Sequence, residues 1–432
     1  RGESQMPFRG KLAAPLSLMI AAALVISIGA STIPTLATGW MALITIWALF
    51  VEAARRDPEN RLDPLKRAAF MMSALAFLGL AAAAQPELST LLLFPDTWTE
   101  SARVLAMFAG AILAGAFPFL QWRPTRGKNM VGAASLIQLA PSAAGAFFLV
   151  RLAGGGQNSG SLFTLLLTAL GLVGFIYGIS KIWSSREDSL AKLTGFAVSQ
   201  LSLLMLAVAW SSRETTLLLT QTLLLGVGGL YLAEAWPRVM PRWLKVPVWF
   251  QAAAITAVPL TSGFVGLASL YSDQITAGRM ILAVVTAVLM IPITARTILF
   301  IPEVGRNRRE ARLSRLNYAT LTAALALPAL GLLTVPLSNE VIGGAAGWML
   351  ILMSIAVGIV LGWYVYKNPE VREAIGKAVQ VSLPHYQGSR VLRSITSSAG
   401  LLVREAAAIL EGEGGMLWLL VLVVILWLAR IS

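Results

Sequence analysis

The chain has 432 residues, 57% apolar and only 13% charged, about half the charge density of a soluble globular protein. That balance excludes a water-soluble domain and fits a chain solvated by lipid, where a charge at membrane depth is costly. A net charge of +13, no cysteine and one histidine, His385, leave no disulfide framework, thiolate metal site or His-rich redox centre.

In chain order, apolar runs of the ~17–25 residues that span hydrocarbon as a helix fall near 12–32, 36–53, 68–85, 101–121, 130–150, 161–182 and 189–209. They continue near 215–235, 247–270, 277–299, 318–336, 346–366 and 415–431. The pattern predicts an all-α integral membrane protein of about thirteen transmembrane helices joined by short loops. A chain that starts at Arg1 is expected to be processed or a piece of a longer one. No cleavable leader is expected, because the first apolar run leads directly into others.

The connecting segments alternate in basicity. Of the 34 basic residues, 29 fall in one alternate set, such as Arg55, Arg56, Arg61, Lys66 and Arg67, or Arg306, Arg308, Arg309, Arg312 and Arg315. The other set holds only Arg103, Arg151, Arg213, Arg279 and Arg430. Cytoplasmic loops carry the lysine and arginine excess, so the N-terminus is predicted inside and the C-terminus outside, in a prokaryotic plasma (inner) membrane. The basic excess is thereby a topology signal, and no nucleic-acid partner is expected.

Residues 369–411 are too polar to span and too long for a turn. Val391, Ile395, Ala399, Leu402, Ala406, Ile409 and Leu410 share one helical face, with Arg393, Arg404 and Glu405 off it. Pro384 and Gly388 divide the segment. It is expected to lie along the cytoplasmic interface, on lipid or on neighbouring helices; a loose amphipathic linker is the competing reading.

Proline in a membrane helix removes a backbone donor and frees a carbonyl. Pro118 sits late in the fourth span (GAFPFLQW) and Pro259 in the ninth (AVPLTSGF), followed by Gly263. Pro141 sits in the fifth and Pro292 in the tenth. Each pair is an odd number of spans apart, so paired helices run in opposite directions. This predicts two inverted five-helix repeats with broken helices in corresponding places; the competing reading is coincidence, since proline is common in membrane helices. The expected division is 1–151 for the first repeat, 160–300 for the second and 301–367 for two further spans. An amphipathic lateral segment at 368–411 and a C-terminal anchor helix at 412–432 complete it.

The run PFLQW … SLIQLAPSAAGAFFLVRL, from Pro118 to Leu152, resembles a stretch of the antiporter-like membrane subunits. There a broken helix ends in a proline and a tryptophan loop, and the next helix ends in a small-residue turn and arginine. DSLAKLTGFAVSQ is similar to that family's Asp-Ile-Lys-Arg-x-Leu-Ala-Tyr-Ser-x-x-Ser-Gln, keeping Asp188, Leu193, Ser199 and Gln200. PLTSGF, from Pro259 to Phe264, resembles the break of its second repeat. The family comprises the proton-pumping subunits of respiratory complex I (NADH-quinone oxidoreductase) and the large subunits of Mrp-type cation/proton antiporters. Relatives occur in membrane-bound hydrogenases and inorganic-carbon uptake complexes. The resemblance covers roughly residues 35–300, and the lateral segment with its last span resembles the distal pump subunit of complex I. It implies other membrane subunits as partners, no cofactor of its own, and that the first three helices of longer members lie outside this sequence.

Family members carry protons on buried ionisable residues, whose pKa is shiftable. By the resemblance, the glutamate after a tryptophan falls at Met41, and the lysine before the broken-helix proline at Leu113. The histidine of the next helix falls at Ile137 and a lysine of some members at Ala143. A paired histidine and lysine fall at Gln221 and Leu225, and the lysine after the glycine-phenylalanine pair at Leu267. These are the lost proton-relay positions. The remaining charges, Glu52, Arg151, Lys181, Glu234, Arg279 and Arg296, sit at span ends, where they are expected to snorkel. Lys192 and Glu234 are the two that a slightly deeper placement would bury.

The expected function is therefore an antiporter-like membrane-arm subunit of a complex I-type ion-translocating assembly, mainly structural because the relay is missing. The alternative is an active transporter of ions, inorganic carbon or another solute, using carbonyls freed at Pro118 and Pro259 with Gln121, Gln138, Ser142, Thr256, Thr261 and Ser262 nearby. A lipid-carrier flippase ranks below both, for want of a basic intramembrane cavity. No nucleotide loop, metal spacing or nucleophile–base pair points to catalysis by the chain itself.

Overall fold

A computed structural model describes residues 6–54, 62–85, 98–119, 137, 139–153, 161–184, 189–234, 242–303, 315–333, 344–368 and 370–375. Among these the regular elements are helices, which satisfy their own backbone groups where no water can. The first half runs through α1 (Met6–Gly29), α2 (Ile33–Ala54), α3 (Leu62–Ala83), α4 (Glu100–Ala114) and α5 (Ala140–Arg151). The second runs through α6 (Leu162–Ser184), α7 (Ser189–Trp210), α8 (Arg213–Glu234), α9 (Lys245–Ile255), α10 (Ser262–Thr276) and α11 (Met280–Phe300). Two more helices, α12 (Arg315–Leu333) and α13 (Ala345–Lys367), follow. Within α8 the backbone widens into a π turn over Thr222–Val227.

Among the described residues six helices, α2, α6, α7, α8, α11 and α13, are long and apolar enough to cross a membrane. The apolar parts of α1, α3 and α12 are shorter, at Pro15–Gly29, Arg67–Ala83 and Thr322–Leu333. Two of the expected spans are not single helices. The fourth stops at Ala114 and continues as a turn through Phe119, and the ninth is divided into α9 and α10. Of the fifth, the described helix is α5, with Pro141 in its first turn, where its missing N–H is not needed. The tenth differs in the other sense. Pro292, expected at a break, lies inside α11, which runs unbroken from Met280 to Phe300. The lateral segment beyond residue 375 and the final anchor lie outside the described residues, as do Gln121, Gln138, Asp188 and His385.

The first half packs α1 on α2, α2 on α3 and α3 on α4, with α5 against α1, α2 and α4. The halves meet where α4 packs on α6 and α5 on α7 and α8. α7 is buried on nearly every face, which suits a helix apolar all round. Its close neighbour α6 reaches it through small residues: a Cβ on Gly178 would sit 2.3 Å from Ser199 Oγ and 2.9 Å from Gly195 O. Such contacts let membrane helices associate where lipid offers no hydrophobic drive. Outward, α13 presents Met349, Met353, Val357, Val360 and Trp363, and α11 presents Ile281, Val284 and Val288. Two exposed threonines of α2 hide their hydroxyls on their own helix, Thr38 donating to Pro34 O at 2.9 Å and Thr45 to Met41 O at 2.8 Å.

Candidate functional site

The two breaks are the irregular backbone of the bundle. α4 opens on Thr99, whose hydroxyl accepts the Ala102 N–H at 3.4 Å, with Glu100 in the favourable first turn. It closes on Gly115 at φ 70°, a conformation glycine adopts without penalty. Ala116 N–H then donates to Ala111 O at 3.0 Å and Phe119 N–H to Ala116 O at 2.7 Å, around a cis Phe117–Pro118 bond. α5 presses against this end so closely that a Cβ on Gly145 would lie 2.2 Å from Ala114 N. Phe117 rests on Tyr177 of α6, ring centroids 5.2 Å apart, at the seam between the halves.

The second break spans Thr256 to Thr261, between α9 and α10. Pro259 lies in it, and Gly263 sits in the first turn of α10 against the end of α9. Thr261 caps α10, its hydroxyl accepting the Phe264 N–H at 3.4 Å. Ser262 pairs with Thr222 of the π turn at 3.0 Å, and one turn pair further along, Ser269 meets Thr215 at 2.7 Å.

The seven positions that the resemblance matches to a proton relay are not equivalent. Leu113, Ala143 and Leu267 are buried, and Ile137 packs on the core. Gln221 donates its amide to Gly331 O of α12 at 2.6 Å. Leu225 sits beside Gly331 within the π turn. Met41 is 52% exposed and faces out of the bundle, while Trp40 beside it is buried with its ring edge-on to Phe148 at 5.1 Å. A carboxylate at position 41 would therefore point away from the interior.

Among the charges, Lys192, Glu234 and Arg296 are buried, at 3%, 9% and 3% exposure. For Arg296 this replaces the expected snorkelling: its guanidinium lies 6.0 Å from the Trp183 ring, and Trp183 in turn donates to Pro292 O at 3.2 Å. The Pro292 carbonyl thus has an indole against it. At the opposite ends of α11 and α7 Arg279 stacks over Trp210 at 3.7 Å, and at the end of α5 Arg151 donates to the carbonyls of Ala30 and Ile28 at the end of α1.

Sequence reasoning passed over Thr215, Ser269, Thr222, Gln251 and Gln274. Gln251 is fully buried and donates to Leu325 O at 3.0 Å. Gln274 is fully buried too, with neither amide atom bonded among the described residues. Glutamine inside an apolar run was the available signal, since amides in membrane helices bond across to neighbours. Among the described residues no group of His, Cys, Asp or Glu is placed to hold a metal.

The class these features define is an all-helical integral membrane protein with broken helices. No family model matches the sequence, and no curated protein matches it. Solved structures do share the fold. A chain of the Mrp complex from Dietzia sp. DQ12-45-1b aligns at a TM-score of 0.66 and 16% identity, over 95% of this chain and 50% of that one. A chain of respiratory complex I from Thermus thermophilus with bound aureothin aligns at 0.54 and 16% identity, over 80% of this chain and 78% of that one. This chain thus spans about half the length of its Mrp counterpart. The fold is shared with chains of the Mrp complex and of respiratory complex I, as the PFLQW, DSLAKLTGFAVSQ and PLTSGF stretches led one to expect.

Proposed function

We propose that the chain is an antiporter-like membrane-arm subunit of a complex I-type ion-translocating assembly, and that its role there is mainly structural. The observation that carries this is the apolar filling of Leu113, Ala143 and Leu267, buried where the resemblance expects lysines. A proton route through them would need waters or groups lent by a partner. The two inverted repeats at 1–151 and 160–300, the cytoplasmic N-terminus and the lateral segment belong to the same reading. They are supported by matching breaks at Pro118 and Pro259, which fall five predicted spans apart.

Extraction from its native membrane in mild detergent tests this. The chain is expected to purify with larger membrane partners, and proteoliposomes of the chain alone are expected to show no ion-driven proton flux above protein-free vesicles. A monodisperse, transport-active preparation of the chain alone would overturn the proposal. A second reading, active transport, draws support from the burial of Lys192, Glu234 and Arg296. It requires Glu234→Gln to abolish a flux that the wild-type chain displays.

A further inference from the structure

The last turn of any helix leaves four carbonyls without a partner, and in a broken membrane helix those carbonyls are the usual place for a cation. At the end of α9 they are Ala252, Ala253, Ala254 and Ile255, and each is taken. Ala252 O accepts the Thr256 N–H at 3.0 Å and shares the Thr256 hydroxyl, 3.0 Å away, with Ala253 O at 3.2 Å. Ala253 O also accepts the Val258 N–H at 2.8 Å, and Ala254 O the Ala257 N–H at 3.1 Å. Ile255 O accepts the amide of Gln200, 3.2 Å away, from the centre of α7.

Beyond the turn, the Thr261 hydroxyl donates to Val258 O at 2.7 Å. Gly263 is seated so tightly that a Cβ there would lie 1.9 Å from Ala254 O. Between these points Ala257 and Leu260 hold φ values of 57° and 72°. That left-handed region is unfavourable for a non-glycine residue, and it persists only where the surroundings over-determine the backbone.

We infer that Gln200 is a positioning residue that occupies the Ile255 carbonyl and fixes the second break as a rigid elbow, closed to cations. This goes beyond the structural-subunit reading and does not depend on it, because an elbow can be rigid in a chain that moves ions by another route. The bond ties α7 to the freed Ile255 carbonyl, and it comes from a helix that is itself surrounded.

Hydrogen–deuterium exchange on the protein, with whatever subunits it purifies with, tests it. Gln200→Leu removes the donor and leaves an apolar side chain of comparable bulk, and is expected to speed exchange at the Ala257 and Val258 amides, which donate to Ala254 O and Ala253 O, about tenfold, the loss of one interhelical bond. Ser202→Ala, whose hydroxyl bonds only its own helix at Val198 O, is expected to leave those amides unchanged. Wild-type exchange there is expected to be the same in sodium, potassium or choline chloride. Wild-type rates in Gln200→Leu, or protection specific to sodium or potassium, would overturn the inference. If Gln200→Leu does not fold, Thr222→Val takes its place by removing the Thr222–Ser262 pair. Faster exchange across 258–264 then supports the elbow, and unchanged exchange refutes it. Loss of partner subunits with an unchanged elbow would count against the structural-subunit reading alone.

Discussion

Arg151 uses two guanidinium donors at once on the carbonyls of Ala30 and Ile28, closing the end of α1 from the end of α5. The planar fork that allows this is not available to lysine, whose charge is compact and whose donors rotate. Arg151→Lys is expected to lower stability by about 1.5–3 kcal/mol, the value of a hydrogen bond to a charged group, seen as a lower thermal midpoint in detergent. Arg151→Ala should lower it further. A lysine variant as stable as the wild type would show that charge alone suffices. Trp40 and Met41 make a related point. Adjacent residues on a helix point about 100° apart, enough here to put Trp40 in the interior and Met41 on the lipid side, so a match shifted by one residue exchanges one kind of site for the other.

At the scale of elements, close crossings decide what substitutions are tolerated. Gly178→Ala places a methyl 2.3 Å from Ser199 Oγ on α7, and is expected to cost about 1–3 kcal/mol by overpacking. Gly79→Ala on α3 meets nothing within 4 Å and is expected to stabilise by up to about 1 kcal/mol through helix propensity. Thermal unfolding of both variants checks the contrast, and equal shifts in the same direction would refute it. The breaks at Pro118 and Pro259 were legible in the sequence because a missing donor must be compensated somewhere. Pro292 carried the same signal, yet α11 continues through it, packed against α13 along Thr294 and Ala295 and receiving Trp183 at its carbonyl. Neighbours three-dimensionally close but distant in sequence made that difference. The π turn in α8 had no sequence mark at all: its Leu-Leu-Leu-Gly run reads as ordinary helix. Lys192 and Glu234 stood out in the sequence as the two that a deeper placement would bury, but the burial of Arg296 was invisible, since distance from a span end says nothing about which neighbours close over it.

For the whole molecule, the alternation of basic loops makes a topological prediction that the absence of cysteine renders convenient to test. Single cysteines at Ser212 and Gly278, in the turns before α8 and α11, are expected to react with an impermeant thiol reagent only from outside. One at Asn368, after α13, should react only from the cytoplasm. Reversed labelling would invert the assignment. The enclosure of α7 also bears on how the molecule is made. Chains emerge from the N-terminus, so α7 enters the bilayer before α8 to α11 exist and must first wait among lipid chains. Ser199 and Ser202 are prepared for that wait, each donating to a carbonyl of its own helix, Gly195 at 2.9 Å and Val198 at 2.8 Å. Gln200 is not, because its amide finds the Ile255 carbonyl only once α9 has been synthesised. For that interval the nascent protein carries an amide with no mate in the hydrocarbon, and the arrival of α9 releases it. The same side chain that settles the finished elbow would thus set the order in which the newborn bundle closes.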